Sequence, residues 1–297
     1  MVEISIADRE DLLKGILNSW RSNLAFKRSP HSHSRVSLAF TSTNATVVSV
    51  SNIPKALTDE APEAVVMVIP IYKGSLETAK CLDSVFEAPN QTPSRVILIN
   101  DCSPDPIIND FLDAIEKQGR KDLIIIRRSK NGGFSESVNI GMIIAEDKHV
   151  VLLNADTVVQ HGWIDRLVTA AQSDPMIATV TPLSNNGEIV TVPYPCKTLA
   201  INDPGLAREV DRRAAVCNAG MTVDIPVGIG FCMFIRRQCI EEIGLFDAVN
   251  WVRGYGEEVD FCLKASSHGW RHVAALNTFV VRRGNVLFGD KKICSYH

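Results

Sequence analysis

The sequence has 297 residues, of which 45% are hydrophobic and 22% charged, with a formal net charge of −3. This composition is that of a globular protein, long enough for one large domain or two smaller ones. Proteins that bind nucleic acids usually carry a strong basic excess, so no nucleic-acid partner is expected. An anionic ligand would have to be met by a local group of side chains.

The eight cysteines contain no C-x-x-C pair, and most of them lie in apolar runs. This pattern indicates reduced, buried thiols and not a disulfide framework or a zinc site. No apolar run reaches the roughly 18 residues of a membrane span, and the N-terminus is acidic where a signal peptide would be basic. We therefore expect a soluble, cytoplasmic protein, either free or at the inner membrane face.

Residues 1–62 differ from the rest of the chain and are expected to form an N-terminal extension. Apolar residues at helical spacing between Ile6 and Trp20 predict a helix, alternation over residues 36–50 predicts a hairpin, and residues 51–62 have the composition of a linker. The simple interpretation is an appended subdomain. The alternative is a docking surface for a partner or a membrane, because a basic segment follows the amphipathic helix.

From residue 64 onward the pattern becomes regular. Apolar runs rich in β-branched residues predict strands at 64–70, 95–100, 123–127 and 149–154. Helical periodicity predicts helices between them, at 75–88, 106–118 and 134–146. Strands that alternate with helices of this length predict an α/β fold with a mostly parallel sheet covered on both faces.

Polar residues follow each predicted strand, and they include Tyr72, Asp101, Asn131 and Asp156. Ligands of parallel α/β sheets bind at the carboxyl ends of the strands. A single aspartate there is explained by a turn or a helix cap, which is the simple interpretation of Asp101 before Ser103. Two aspartates on one edge favour a binding site.

Three common catalytic or nucleotide-binding devices are missing from the sequence. It contains neither a G-x-G-x-x-G turn after the first strand nor a G-x-x-x-x-G-K-[ST] loop. The segment Gly133-Phe-Ser-Glu-Ser137 lacks the last glycine of the hydrolase nucleophile elbow. A dinucleotide-binding Rossmann protein, a P-loop protein and a serine hydrolase are therefore not expected.

Seven sequence blocks between residues 64 and 289 occur in an order that resembles glycosyltransferase family 2, in particular its bacterial rhamnosyltransferase-like members. The blocks are VVMVIPIYKGSLETAKCLDSV, VILINDCSPD, RRSKNGGFSESVNIGM, VVLLNADTVVQHGWIDRL, VTPLSNNGEIVTVPYP, VGIGFCMFIRRQCIEEIGLFD and GYGEEVDFCLKASSHGWRHV. The resemblance implies a GT-A fold over residues 63–297. Its nucleotide-sugar-binding half would span residues 63–156, and its acceptor-binding half residues 157–297.

The resemblance implies that Asn154-Ala155-Asp156 stands at a D-x-D-type motif and that Asp156 binds Mg²⁺ or Mn²⁺ bridging the donor diphosphate. These ions prefer oxygen ligands and are often held by few carboxylates plus phosphate oxygens. Asn154 replaces the first acid of the motif, so a clamp of two carboxylates is not available. The same resemblance places these residues near the nucleotide: Pro70, Tyr72, Asp101, Asn131 and Gly133.

A second acidic group, Glu257, Glu258 and Asp260, follows a glycine-rich stretch at residues 254–256. The simple interpretation is favourable charge at the start of a helix, whose dipole is positive there. The resemblance implies that Glu258 is the general base of an inverting displacement, taking the proton of a sugar hydroxyl as it attacks the anomeric carbon.

Glu257 is a second candidate for the base, because Glu258 carries its carboxylate one methylene further out than the aspartate of the family. Mutual repulsion among the acids would raise the pKa of the base and the helix dipole would lower it. The sequence leaves both outcomes open.

Arg282 stands where the family usually has a histidine that completes the metal shell, in the segment after the last strand. Arginine cannot ligate a metal because it stays protonated, but it pairs with phosphate. Two interpretations follow: Arg282 and Arg283 neutralise the leaving diphosphate and make the enzyme less dependent on a metal, or this copy of the site has lost catalysis.

The stretch between the two centres is expected to bind the acceptor. Residues 181–187 have the composition of a polar loop after a strand at 177–180, and residues 228–231 allow close backbone approach through two glycines. A simple turn explains residues 185–187 equally well. Trp251 either stacks on a sugar ring or packs against the protein.

The sequence thus predicts an inverting transferase that uses a UDP- or dTDP-sugar, with rhamnose the best single choice, and a glycan or lipid-linked glycan acceptor in surface polysaccharide synthesis. The alternative is a non-catalytic nucleotide- or glycan-binding module of a larger synthase, which Asn154, Arg282 and the end at His297 leave open. A sugar nucleotidylyltransferase would need a basic, glycine-rich loop after the first strand, and residues 71–74 do not supply one.

Overall fold

The structure is a computed structural model that describes residues 65–251 and 256–284. The predictions for residues 1–62 and for Gly254 and Tyr255 lie outside these ranges, and the division of the chain at residues 62 and 156 stays a prediction. Within the described ranges, no helix has the length and apolar character needed to cross a membrane.

The described chain alternates strands and helices as predicted. The strands are β1 Val65–Ile71, β2 Ser94–Asn100, β3 Leu123–Arg127, β4 His149–Leu153, β5 Thr157–Val158, β6 Ile177–Ser184, β7 Thr222–Asp224, β8 Cys232–Ile235 and β9 Arg271–Arg282. The helices are α1 Ser75–Glu87, α2 Pro106–Glu116, α3 Gly133–Ile144, α4 Trp163–Gln172, α5 Pro204–Cys217, α6 Arg237–Ile243 and α7 Glu257–Ser267. The seven elements predicted between residues 64 and 154 are confirmed, with ends that differ by no more than two residues.

These strands form one sheet in the order β3-β2-β1-β4-β8-β6-β9-β5, with β7 also paired to β9. The first four are parallel, which confirms the predicted βαβ units. Beyond β4 the sheet becomes mixed: β8 is antiparallel to both β4 and β6, and β9 is parallel to β6 but antiparallel to β5 and β7. The chain therefore joins a parallel half to a mixed half along one sheet.

Helices cover both faces of the sheet, which explains why its central strands are apolar throughout. On β1, Val65, Met67 and Ile69 pack in one core with α1, α2 and α4. Val66 and Val68 face the opposite core, which contains α3, α6 and α7. Because neither face of these strands meets water, both sets of alternating side chains must be hydrophobic.

Helix α3 approaches the sheet closely at one glycine. A Cβ added to Gly141 would lie 2.3 Å from Cγ1 of Val68, well inside van der Waals contact. This contact fixes the distance between α3 and β1, and with it the place of the loop that precedes α3.

In the mixed half, a buried ion pair ties α4 and α5 to β9. Nη2 of Arg166 lies 2.7 and 2.9 Å from the two carboxylate oxygens of Asp211, and one of these oxygens also accepts the backbone N–H of Phe279 at 2.9 Å. This hydrogen bond fixes the backbone of β9 at Phe279, three residues before Arg282.

Two expectations about this half are wrong. Residues 181–184 belong to strand β6 and are buried, so the predicted polar loop is limited to the turn that starts at Asn185. Arg282 is the last residue of β9 and does not follow the strand. In both cases pairing with a distant strand extends the segment further than its composition indicates.

Candidate active site

Asp101 follows β2 and is fully occupied by the protein itself. One carboxylate oxygen accepts Nη1–H of Arg128 at 2.7 Å and the backbone N–H of Gly132 at 2.9 Å, and the other accepts the N–H of Gly133 at 2.8 Å. Asn131 donates its side-chain amide to the carbonyl of Asp101 at 3.3 Å. The carboxylate is 95% buried, so these charge-assisted bonds fix the loop that leads into α3.

Asp101 does accept backbone N–H groups at the start of a helix, as the simple interpretation predicts, but the helix is α3 and not α2. The turn before α2 is made by its neighbours: Asn100 accepts the N–H of Ser103 at 2.8 Å, and Asp105 accepts the N–H of Ile107 at 3.0 Å as the N-cap. Asp101 accepts the backbone N–H groups at the start of α3. Pro70 and Tyr72 lie at the same edge, since Ile71 accepts the N–H of Asp101 at 2.8 Å.

Asp156 follows β4 and is only partly satisfied. Its Oδ2 accepts the N–H of Gly284 at 3.2 Å and lies 3.7 Å from Nε of Arg282. Its Oδ1 is buried and has no hydrogen-bond partner among the described residues. Asn154 is held by its backbone, with its N–H bound to the carbonyl of Phe231 at 2.8 Å.

Arg282 is positioned by its backbone. In the β5–β9 pairing it lies opposite Thr157, directly after Asp156. Asn185 grips the peptide from the other side, since its Oδ1 accepts the N–H of Arg282 at 2.8 Å and its Nδ2 donates to the carbonyl at 3.0 Å. The guanidinium lies 5.9 Å from the ring centre of Phe231.

The Nε atoms of Arg282 and Arg283 are buried and make no hydrogen bond within the described residues. Buried polar atoms of this kind are rare in folded proteins, because each unmade hydrogen bond destabilises the fold. Two arginine nitrogens and a carboxylate oxygen without partners mark this end of β9 as a place for a polar ligand.

The acids at the start of α7 divide into two that face the protein interior and one that does not. Glu257 is 97% buried, and burial together with the charge of Glu258 raises its pKa to about 7. Glu258 is half-buried, and its Oε1 lies 3.4 Å from where a Cβ on Gly230 would be. Each of the two carboxyl groups has a buried Oε2 without a partner in the described chain.

Asp260 pairs with Lys264 one turn along α7, at 2.6 Å, and takes no part in this group. The question left open by the sequence is answered for Glu257: burial and repulsion outweigh the helix dipole, and its pKa rises. The close backbone approach predicted at residues 228–231 is found at Gly228, where a Cβ would lie 2.4 Å from Sδ of Met233, whereas a Cβ on Gly230 would be in ordinary contact with Glu258.

Glu188 joins this site, although nothing in the sequence pattern indicates it. It lies in the turn after Asn185, with a left-handed backbone at φ 52°. Partial burial and the charge of Glu258 raise its pKa, while the guanidinium of Arg282 lowers it. The three charged groups are therefore close enough to influence one another.

Trp251 packs against the backbone at Gly256, where a Cβ would lie 2.4 Å from its ring. Its carbonyl accepts the hydroxyl of Ser135 at 3.0 Å, which ties the segment before α7 to α3. This geometry favours the packing interpretation over sugar stacking.

A model of glycosyl transferase family 2 matches residues 66–244, more than half of the chain. The chain belongs to this family. The resemblance noted in the sequence is thereby confirmed. The matched residues include Asp101 and Asp156 and end before Glu257, Glu258 and Arg282.

Two curated relatives match shorter segments. The minor teichoic acid biosynthesis protein GgaB of Bacillus subtilis is 27% identical over 106 residues, which are 34% of this chain and 11% of that protein. An uncharacterized glycosyltransferase of Haemophilus influenzae is 30% identical over 100 residues, which are 33% of this chain and 30% of that protein. The matches thus span less than a third of either relative.

Two solved structures share the fold. GalNAc-T7 with UDP, GalNAc and Mn²⁺ has a TM-score of 0.57 at 17% identity, covering 74% of this chain and 43% of that one. The mannosyltransferase PcManGT from Pyrobaculum calidifontis, with GDP-Man and Mn²⁺, has a TM-score of 0.52 at 17% identity, covering 76% and 59%. The chain has the predicted GT-A fold.

The donor set at Asp156 is poor for a metal held by the protein alone. Within the described residues, no three His, Cys, Asp or Glu side chains are arranged to hold an ion. Arg282 brings a positive charge to within 3.7 Å of Asp156. One unpartnered oxygen of Asp156 remains for a cation that arrives with phosphate oxygens.

Proposed function

We propose that this protein is an inverting glycosyltransferase that moves a sugar from a UDP- or dTDP-sugar to a glycan acceptor in the synthesis of a surface polysaccharide. The observation that carries the proposal is the set of buried hydrogen-bonding atoms without partners on Asp156, Glu258 and Arg282. A sugar diphosphate and an attacking hydroxyl together supply what these atoms lack: acceptors for the guanidinium and donors for the carboxylates.

In the proposed reaction, Glu258 is the general base. Its carboxylate takes the proton of an acceptor hydroxyl as the oxygen forms a bond to the anomeric carbon of the donor. The bond from that carbon to the diphosphate breaks on the opposite face, so one displacement inverts the configuration. Glu257 is the weaker candidate, because it is almost completely buried, whereas Glu258 is half-buried.

The departing diphosphate takes the bonding electrons and gains negative charge. Arg282 and Arg283 are proposed to neutralise it, since guanidinium groups pair strongly with phosphate oxygens. Asp101, with Arg128 and the loop before α3, is proposed to shape the pocket for the base and ribose of the donor, together with Pro70, Tyr72, Asn131 and Gly133.

A divalent ion is proposed to be dispensable or only weakly required. Asp156 could hold Mg²⁺ or Mn²⁺ through one oxygen, but the neighbouring Arg282 already offers positive charge to the same phosphates. We expect nucleoside diphosphate release to persist in EDTA and to be lost in Arg282→Ala. Activity that disappears in EDTA and returns with Mn²⁺ would overturn this part of the proposal.

The similar proteins support the substrate class. The two structural neighbours contain UDP with GalNAc, and GDP-Man. The relative GgaB is named for teichoic acid biosynthesis, which makes a lipid-linked or growing glycan a reasonable acceptor. Association with a membrane face or with a larger synthase belongs to the same proposal.

The test is release of nucleoside diphosphate from a panel of UDP-, dTDP- and GDP-sugars by the purified chain. Glu258→Gln and Asp156→Ala should each reduce release by about 100-fold or more. Asp260→Asn is the matched control on the same helix, because Asp260 pairs with Lys264 away from the site, and it should retain activity.

The same assay separates the alternative function. Donor binding in a thermal-shift screen, without release of nucleoside diphosphate from any donor, would show a non-catalytic binding module. The changed residues Asn154 and Arg282 are what favour this alternative. Release that depends on Glu258 excludes it.

A further inference from the structure

Glu188 is held in a backbone conformation that an ordinary side chain avoids. Its φ of 52° lies in the left-handed region, where residues with a Cβ are disfavoured by about 1–2 kcal/mol. The turn nevertheless enforces this conformation, because the carbonyl of Glu188 accepts N–H groups from Thr191 at 3.1 Å and Cys196 at 2.7 Å. Strained residues that a surrounding structure holds in place concentrate at functional sites.

The preceding residue shows that the turn has no freedom to relax. A Cβ on Gly187 would lie 2.9 Å from the Phe231 ring, from Ser184 and from Val190. The N–H of Gly187 donates to the hydroxyl of Thr191 at 2.9 Å. Glu188 is thus fixed on the same side of the protein as Phe231, whose ring faces Arg282.

Glu188 is exposed as a whole residue while its carboxylate is partly buried, and the carboxylate has no hydrogen bond or ion pair within the described residues. The charges that act on it are the negative charge of Glu258 and the positive charge of Arg282. The turn holds the carboxylate of Glu188 away from the guanidinium of Arg282, so the two do not form an ion pair. A free carboxylate held beside the proposed base is suited to accept hydrogen bonds from a ligand.

We propose that Glu188 determines acceptor specificity by accepting a hydrogen bond from a hydroxyl or ammonium group of the acceptor sugar and repelling an acceptor that carries a carboxylate there. The inference rests on the proposed transferase function. Glu188 and Glu257 are both influenced by the charge of Glu258, so three acidic groups lie close together, and Arg282 lies 3.7 Å from Asp156. Neutral and amino sugars therefore suit this side of the cleft, and uronic acids do not.

The acceptor is favoured over the donor sugar because Glu188 interacts with the group that would deprotonate the acceptor. The donor diphosphate is assigned to Arg282 and Arg283, and a carboxylate in contact with phosphates would oppose binding. Glu188 is therefore assigned to the acceptor site. Asn185, in the same turn, makes two hydrogen bonds to the backbone of Arg282.

The experiment measures nucleoside diphosphate release by the full chain, with and without three probes: p-nitrophenyl glucoside, glucosaminide and glucuronide. For the wild type, we expect the first two to increase turnover and the glucuronide to have no effect. Glu188→Gln should raise the KM of the first two about tenfold and allow the glucuronide to act.

Two further variants separate this role from a structural one. Glu188→Gly should be as stable as the wild type or more stable, because glycine adopts the left-handed backbone freely, and it should still lose acceptor use. Glu146→Gln is the matched control, an exposed glutamate at φ 50° away from the site, and it should change nothing.

The outcomes distinguish the two levels of the proposal. If the wild type releases nucleoside diphosphate from no donor, the transferase function fails and this inference falls with it. If release occurs but the probes act alike on the wild type and Glu188→Gln, the specificity role is overturned. A change in donor KM without acceptor would assign Glu188 to the donor sugar and would also overturn it.

Discussion

Two aspartates follow parallel strands at the same edge of the sheet, and their surroundings are opposite. Asp101 has a bond for each of its oxygens, from Arg128 and from two backbone N–H groups. Asp156 has one buried oxygen without a partner and an arginine 3.7 Å from the other. The hydrogen bonds of the first carboxylate are complete, whereas the second has one buried oxygen to which a ligand is proposed to bind.

The contrast extends to the neighbouring groups. Around Asp101, Arg128 also contacts Glu136 and Ser137, so the parallel half is preformed. Elsewhere in the mixed half, Glu257 and Arg283 also have buried atoms without a hydrogen-bond partner in the described chain. Position at the carboxyl end of a strand therefore does not by itself distinguish a carboxylate that completes the fold from one that keeps a buried oxygen without a partner.

Replacing each aspartate by alanine should give opposite results, and this is the largest stability effect we expect. Asp101→Ala leaves a buried guanidinium and two backbone N–H groups without their acceptor, so unfolding free energy should fall by about 3–5 kcal/mol. Asp156→Ala should lower it by no more than about 1 kcal/mol, because it removes one long hydrogen bond. Urea unfolding of both variants at pH 7 measures the difference.

Equal losses of stability in the two variants would contradict the comparison. Asp101→Asn provides a control for size, since it retains one acceptor oxygen and should lie between the wild type and Asp101→Ala. The loss of activity should not follow the loss of stability, because Asp156→Ala should be inactive although it remains folded.

Because of Glu257, the folded protein should become less stable as pH rises. Its pKa is about 7 in the folded protein and about 4.5 when unfolded, so between these values the folded state binds more protons. Stability therefore falls as pH rises from about 4.5 to 7 and then levels, a loss of about 3 kcal/mol at most. Glu257→Gln resembles the protonated form and should be more stable than the wild type at pH 8 but not near pH 4.5.

Urea unfolding of the wild type and Glu257→Gln from pH 4.5 to 8 tests this expectation. The difference between the two proteins isolates Glu257 from the other acids, and Glu146→Gln should follow the wild type at every pH. A constant difference across the range would show that Glu257 does not titrate in this interval.

The sequence was sufficient for the parallel half because its signals are local. Strands such as β1 and β4 are continuous apolar runs, and helices such as α3 carry their own periodicity, so both could be predicted within two residues. Asp101 and Asp156 could be predicted as candidate site residues because each comes just after a predicted strand. Which of the two is satisfied could not be predicted, since this depends on Arg128 and on bonds to residues far along the chain.

The mixed half depends on contacts between distant residues. Arg282 meets Asp156 only because the two-residue strand β5 pairs with the end of β9. Glu188 enters the site through the backbone of a turn, for which its own residue type gives no signal. Asn185 was one polar residue in a predicted loop, and its hold on Arg282 requires β6 and β9 to be neighbours.

The last prediction concerns Gly141, in the parallel half of the sheet. Alanine there would place a methyl carbon 2.3 Å from Val68, so α3 must move outward or Val68 must change its rotamer, at about 1–3 kcal/mol. Because α3 begins at the glycines bound by Asp101, its displacement should also weaken donor binding. Gly141→Ala with Val68→Ala should recover most of the donor affinity in a thermal-shift titration, since the second change removes the crowded methyls. If the double variant binds the donor no better than Gly141→Ala alone, crowding against β1 is not what sets the position of the Asp101 loop.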